Sequence, residues 1–241
     1  MVDDKKTLSG TVSFLTSEAF KYHQKGNLKE AKNIYEQILK HKPMHFDALQ
    51  LLGMLYGQIN EKDKAIKLLE LALQIKPDNA ATLNNYGVIL TEVNRTNDSY
   101  EALDKATNIK PDYAEAYSNK GNALKLLGKY DDAVKAYSKA IQLKPNYAEA
   151  YNNRGVIYKE LNKMEFALKD LKKAINLKPD YPEANSTMGV TLLLTGDFSK
   201  GWGQYEWRWK DLSDPSVIRS FKQPLWDGKK ALKGKSIMLY S

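Results

Sequence analysis

Asn85, Asn119 and Asn153 lie 34 residues apart, with Asn84 and Asn152 immediately before two of them and Asn122 one helical turn after Asn119. A carboxamide carries two N–H donors and an acceptor oxygen. A regularly spaced row of them therefore has the chemistry to hold the N–H and C=O groups of an extended polypeptide. Three neutral hydrogen bonds at about 0.5–1.5 kcal/mol each are too weak to retain a partner alone. Apolar anchors are available on the same period at Met54, Val88 and Val156, with Phe20 and Val190 in the same column. Other chemistry is poorly provided for. The chain has no cysteine, which excludes disulfides, thiolate metal sites and cysteine nucleophiles. His23, His41 and His45 are the only imidazoles, too few and too clustered for a multi-histidine metal centre. No short motif pairs carboxylates with histidine or a nucleophile, and no glycine-rich phosphate loop occurs. The chain itself is expected to be no enzyme and to use no cofactor and no metal.

The elements that must position these amides follow from a 34-residue repeat. Prolines fall at Pro43, Pro77, Pro111, Pro145 and Pro179. A small residue recurs at Ala19, Gly53, Gly87, Gly121, Gly155 and Gly189, and a second at Ala31, Ala65, Ser99, Ala133, Ala167 and Gly201. Bulky residues flank the first column, from Leu15 to Tyr151 on one side and from Tyr22 to Leu192 on the other. Tyr117, Gly121 and Leu124 keep the i, i+4, i+7 spacing of one helical face, and Ala133, Tyr137 and Ala140 repeat it. Between them Leu-Gly-Lys-Tyr-Asp-Asp supplies a glycine turn and acidic residues for the second helix's start. The Lys-Pro pair ends that helix, because a residue before proline is pushed out of helical geometry. Neither helix can bury its apolar stripe alone, so successive hairpins must stack.

These columns resemble the tetratricopeptide repeat family, whose unit is a 34-residue helix–turn–helix with this small/large pattern and a closing proline. The resemblance covers about residues 12–209 and implies an all-α, right-handed α-solenoid of about six hairpins. The units run near 12–45, 46–79, 80–113, 114–147, 148–181 and 182–209, the last as a cap. Residues 1–11 form a lead-in, and 210–241 a linker and the truncated start of an α/β domain. Two departures stand out. A column that the family usually fills with a large apolar residue holds Lys120 and Arg154, whose stems are expected to cover apolar surface while their charges reach water. The sixth unit has Gly201 and Arg208 in core columns and no proline on schedule.

The resemblance also implies that the first helix of each unit lines a concave groove. It places Asn84, Asn85, Asn119, Asn122, Asn152, Asn153, Met54, Val88 and Val156 there as partner-binding residues. The row is similar to the asparagine ladder of the O-linked N-acetylglucosamine transferase repeats. The alternative is that these amides solvate an exposed face or bond between neighbouring units. The lysine needed for the carboxylate clamp of chaperone-binding relatives is absent, since its column reads Thr16, Gln50, Asn84, Ser118, Asn152 and Ser186.

The formal charge of +8 is uneven: residues 198–241 carry nine Lys/Arg against four Asp/Glu, and all four tryptophans lie there. Upstream, Lys42, Lys76, Lys110, Lys144 and Lys178 each precede a repeat proline. They read as cations at helix C-termini rather than as a nucleic-acid row, because acidic residues such as Asp47, Glu115, Glu149 and Glu183 recur beside them. No apolar run approaches the ~20 residues that span a bilayer, and the charged N-terminus lacks the apolar stretch of a signal peptide. The expected partner is a protein or extended peptide, with no nucleic acid and no membrane, in the cytoplasm.

Trp202, Tyr205, Trp207 and Trp209 read as a hydrophobic lid over the array's open end, with a sugar-stacking platform as the alternative. Pro215, Pro224 and Gly228 mark irregular chain, and residues 236–240 read as a short apolar β-strand. The strings W-x-x-Y-E-W-R-W, P-L-W-D-G and L-x-G-K-S-I-M-L resemble the junction in bacterial proteins that place these repeats before a glycosyltransferase-like domain. That implies a catalytic domain downstream in the same polypeptide. Three readings follow: a protein-interaction module, the substrate-recognition arm of a glycosyltransferase-like protein, or a self-associating scaffold.

Overall fold

The computed structural model describes the backbone of residues 2–210 and the side chains of residues 12–209. Twelve α-helices form six consecutive antiparallel hairpins among the described residues. The pairs are α1 (Val2–Gln24) with α2 (Leu28–His41), α3 (Phe46–Gln58) with α4 (Lys62–Ile75), and α5 (Ala80–Glu92) with α6 (Thr96–Ile109). They continue as α7 (Ala114–Leu126) with α8 (Tyr130–Leu143), α9 (Ala148–Glu160) with α10 (Met164–Leu177), and α11 (Pro182–Leu194) with α12 (Phe198–Tyr205). A 3₁₀ turn, Glu206–Lys210, follows. No strand occurs among the described residues; the strand expected at 236–240 lies outside them, as do Pro215, Pro224 and Gly228. Helix α1 runs through the segment 2–11, where the repeat pattern stops, with no proline to interrupt it.

Each hairpin turns at one column. Gly26, Asn60, Asn94, Gly128, Asn162 and Gly196 all hold positive φ, between 57° and 87°. This left-handed conformation ends the first helix, and only glycine, or asparagine with its short polar side chain, adopts it cheaply. Lys76, Lys110, Lys144 and Lys178 then end the second helices in non-helical conformations, each just before its proline. Side-chain acceptors on His45 and Asn79 cap α3 and α5.

Within a hairpin the small column of the first helix receives a large side chain of the second. Tyr35, Leu69, Leu103, Tyr137 and Leu171 recur every 34 residues and are fully buried. A β-carbon added at Gly121 would lie 2.6 Å from the Tyr137 ring, and one at Gly87 equally close to Leu103. The glycines thus set the distance between the two helices. Ser99 fills a column that is otherwise alanine in the preceding and following units. Its hydroxyl is satisfied by donating to the Gly87 carbonyl at 2.7 Å.

Between hairpins, each second helix packs on the next unit's first helix. Consecutive first helices also touch, α1 with α3 through to α9 with α11, while the second helices make no comparable contact with one another. The first helices therefore form the inner, more tightly curved layer, and the second helices the outer one.

The last hairpin is abbreviated. Helix α12 spans eight residues against 14 in the preceding second helices. Its Gly201 and Gly203 are poor helix formers. Gly189 lies directly against the α12 backbone: a β-carbon there would come within 2.3 Å of the Tyr205 nitrogen. Trp202 meets Tyr205 edge-on, and Arg208 lies over both the Tyr205 and Trp209 rings. Trp202 nevertheless stays 57% exposed.

Candidate functional site: the amide-lined inner layer

Asn85, Asn119 and Asn153 sit on α5, α7 and α9, the three central helices of the inner layer, and all three are half-buried. Their neighbours Asn84 and Asn152 are buried, while Asn122 is half-buried. Met54, Val88 and Val156, one position past the close-packed glycines, are likewise partly exposed. The inner layer at its centre is thus a band of carboxamides interleaved with modest apolar side chains.

The amides are not independent rungs. Asn119 donates from Nδ2 to Asn84 Oδ1 at 2.9 Å, and Asn84 donates in turn to Asn85 Oδ1 at 3.4 Å. One junction further on, Asn153 donates to Asn122 Oδ1 at 3.1 Å, and Asn152 donates to Asn153 Oδ1 at 3.2 Å. The Tyr137 hydroxyl also donates to Asn122 Oδ1, at 2.7 Å. Burial pushes the Tyr137 hydroxyl far above its ordinary range, so it remains a donor at neutral pH. Two amide chains therefore stitch the third unit to the fourth and the fourth to the fifth.

These bonds leave capacity over. Asn85 keeps both N–H donors, Asn119 keeps one donor and its oxygen, and Asn153 keeps one donor. Each outward amide retains at least one hydrogen-bonding group, already oriented by its neighbour. The buried Asn152 Oδ1 has no hydrogen-bond partner among the described residues.

Arg154 departs from expectation. Its charge does not run out to water but is paired inside the array. Arg154 makes a two-pronged contact with Asp170, at 2.6 and 2.8 Å, and also donates to Ser138 at 2.8 Å. Asp170 is 4% exposed, so the pair is nearly shut off from solvent. Lys120 reaches back to Asp104 at 2.5 Å, and Tyr86 to Glu70 at 2.8 Å, each crossing a unit junction. A visible signal existed for the first pair: Arg154 and Asp170 break two apolar columns within one unit, in opposite senses of charge.

The lysine column is largely committed to structure. Lys76 lies 4.0 Å from the Phe46 ring centre, Lys110 4.9 Å from Tyr113, Lys144 4.7 Å from Tyr147 and Lys178 4.5 Å from Tyr181. Lys144 also bonds Glu115 at 2.9 Å, which holds that carboxyl below its usual range. Among the described residues no group of three or more His, Asp or Glu is placed to hold a metal ion. No helix there is long and apolar enough to cross a membrane.

The hairpin geometry defines a class of protein, and sequence comparison agrees. Models described as "Tetratricopeptide repeat" match residues 22–73, 60–122 and 148–181, and one described as "TPR repeat" matches 121–162. Together they span 22–181, about two thirds of the chain, which belongs to the tetratricopeptide repeat family. No curated protein matches it. Solved structures do. The MamA protein is 26% identical with a TM-score of 0.61, over 71% of this chain and 94% of that one. PilW, described as a widely conserved type IV pilus biogenesis factor, is 21% identical with a TM-score of 0.77, over 86% and 96%. YrrB, described as a TPR protein with an unusual peptide-binding site, is 24% identical with a TM-score of 0.59, over 70% and 88%. The last two likenesses concern the fold alone.

Proposed function

We propose that the inner layer of this array binds a partner protein through an extended peptide segment laid across α5, α7 and α9. The observation that carries this reading is the leftover hydrogen-bonding capacity of Asn85, Asn119 and Asn153 on three successive inner helices. Packed helices stand about 8–10 Å apart and an extended chain advances about 3.3 Å per residue. One amide per unit therefore meets roughly every third residue of a bound chain. Amides recognise backbone rather than sequence, so Met54, Val88 and Val156 supply the apolar contact that adds affinity. YrrB, a similar fold, is described by its peptide-binding site, which suits this use of the inner face.

A second reading makes the array the substrate-recognition arm of a longer glycosyltransferase-like protein. It draws on the strings in residues 202–240 and uses the same groove. The test is common to both: replace Asn85, Asn119 and Asn153 together with alanine and measure binding of a blocked, extended Ser/Gly-rich peptide. Loss of about tenfold in affinity with an unchanged circular-dichroism spectrum is expected. Unchanged affinity removes the amides from the binding surface.

A further inference from the structure

The amide band occupies only the central units, and the first two present a different surface. Helices α1 and α3 enclose an open trough of about 550 Å³, rimmed by Lys42 and His45 of the connection between α2 and α3. Where later units carry Asn85, Asn119 and Asn153, these two carry Ser17 and Leu51. Phe20 projects into the trough and is 41% exposed, an aromatic side chain where later units have valine, methionine or asparagine.

Lys42 differs from the rest of its column. Lys76, Lys110, Lys144 and Lys178 each lie over an aromatic ring, and Lys144 is also paired with Glu115. The residue 29 positions before Lys42, matching Glu115, is Ser13, which offers no carboxylate. Among the described residues no ring underlies Lys42 and no carboxylate pairs with it. Asp47 lines the same trough from the first turn of α3, where the helix N-terminus offsets part of its charge. The trough thus pairs a free ammonium group with an exposed aromatic face.

We propose that this trough is a specificity subsite for an acidic residue followed by a large aliphatic one, the carboxylate on Lys42 and the aliphatic side chain between Phe20 and Leu51. It rests on the peptide-binding reading above and adds sequence preference to it. The trough lies about one and a half units from Asn85, so the acidic–aliphatic pair sits about four residues from the backbone stretch held by the amides. The amides then hold any extended chain, while the trough selects which chain and fixes its register.

Four blocked Ser/Gly peptides test this, each with one central pair: Glu-Leu, Gln-Leu, Lys-Leu or Glu-Gly, followed by fluorescence anisotropy with the full chain. Glu-Leu is expected to bind about threefold to fivefold more tightly than Gln-Leu, a gap that narrows as salt is added. Lys42→Gln abolishes that gap and leaves the preference for Leu over Gly; Phe20→Ser does the reverse. Both side chains are partly exposed, and an unchanged circular-dichroism spectrum confirms that the variants fold. Equal binding of Glu-Leu and Gln-Leu, a preference for Lys-Leu, or a Glu preference that survives Lys42→Gln overturns the proposal. The triple asparagine variant weakens all four peptides alike without changing their order. If it changes nothing while the order persists, the amide band fails and the trough stands. If none of the four binds, both fail.

Discussion

Asn119 gives one of its amide hydrogens to Asn84 across 2.9 Å, bridging α7 of the fourth unit to α5 of the third. The acceptor is buried and the donor half-buried, so the bond is protected while the rest of the Asn119 amide remains at the surface. One residue pair thus ties the junction together and leaves amide capacity on the inner surface.

That division of labour separates the effects of two neighbouring substitutions. Asn84→Ala removes the acceptor of Asn119 and the donor to Asn85, and is expected to cost about 1 kcal/mol. Asn85→Ala removes only the outer end of the chain and is expected to be near neutral for stability. Urea denaturation of the two variants compares them directly. Equal costs would show that the bridge contributes nothing to the junction.

The buried pair of Arg154 and Asp170 makes a stronger demand. Arg154→Leu strands a carboxylate that is 4% exposed and is expected to destabilise the array by about 2–4 kcal/mol. The double variant Arg154→Leu with Asp170→Ala restores residue types found in the same columns at Leu52 and Ala136, and is expected to recover most of that loss. A double-mutant cycle followed by chemical denaturation reads the coupling. Additive costs would mean that the two side chains do not interact.

Gly189 meets backbone rather than a side chain, so Gly189→Ala cannot be absorbed by a rotamer change. The abbreviated α12 is expected to detach while the other five hairpins persist, because repeat arrays depend on nearest neighbours. All four tryptophans lie from Trp202 onward, so tryptophan emission, excited at a wavelength that tyrosine does not absorb, reports on the segment from Trp202 onward. An early fluorescence transition, separated from the loss of helical circular dichroism, is the expected result. A single coincident transition contradicts it.

Alkaline pH is expected to unfold the array through its buried tyrosines. Burial pushes Tyr35 from its ordinary 10.0 up to about 12, and Tyr86 rises to about 12 through burial and then its bond to Glu70. Ionisation is therefore easier in the unfolded chain, so the stability these groups contribute is fully present below pH 10 and lost as pH rises toward 12. Tyrosinate absorbance and helical circular dichroism recorded on one titration check this. Late tyrosinate signal appearing with no loss of helix contradicts it.

The hairpins were legible because backbone demands recur in register: Gly53, Gly87, Gly121 and Gly155 where helices touch, and proline where they stop. Helices α3, α5, α7, α9 and α11 begin at Phe46, Ala80, Ala114, Ala148 and Pro182, each 34 residues after the last. The glycine turn read at Gly128 proves to be one of a column that includes Asn60 and Asn94, and their positive φ gives that column a physical reason. The partners of the asparagines were not legible. Whether Asn119 reaches Asn84, or Asn153 reaches Asn122, depends on the stagger between units, which no single unit encodes. For Arg154 the broken column at Asp170 was a readable signal, whereas nothing in the period pointed from Lys120 to Asp104, 16 residues earlier on another helix.

The most direct test of the inner layer as the binding surface is nuclear magnetic resonance of the side-chain amides during titration with the Glu-Leu peptide. The amide pairs of Asn85, Asn119 and Asn153 and the methyls of Val88 and Val156 are expected to shift together, while outer-helix signals such as those of Ala106 and Ala140 stay fixed. Shifts confined to the second helices, with the three asparagines unmoved, would contradict a partner held on the inner face.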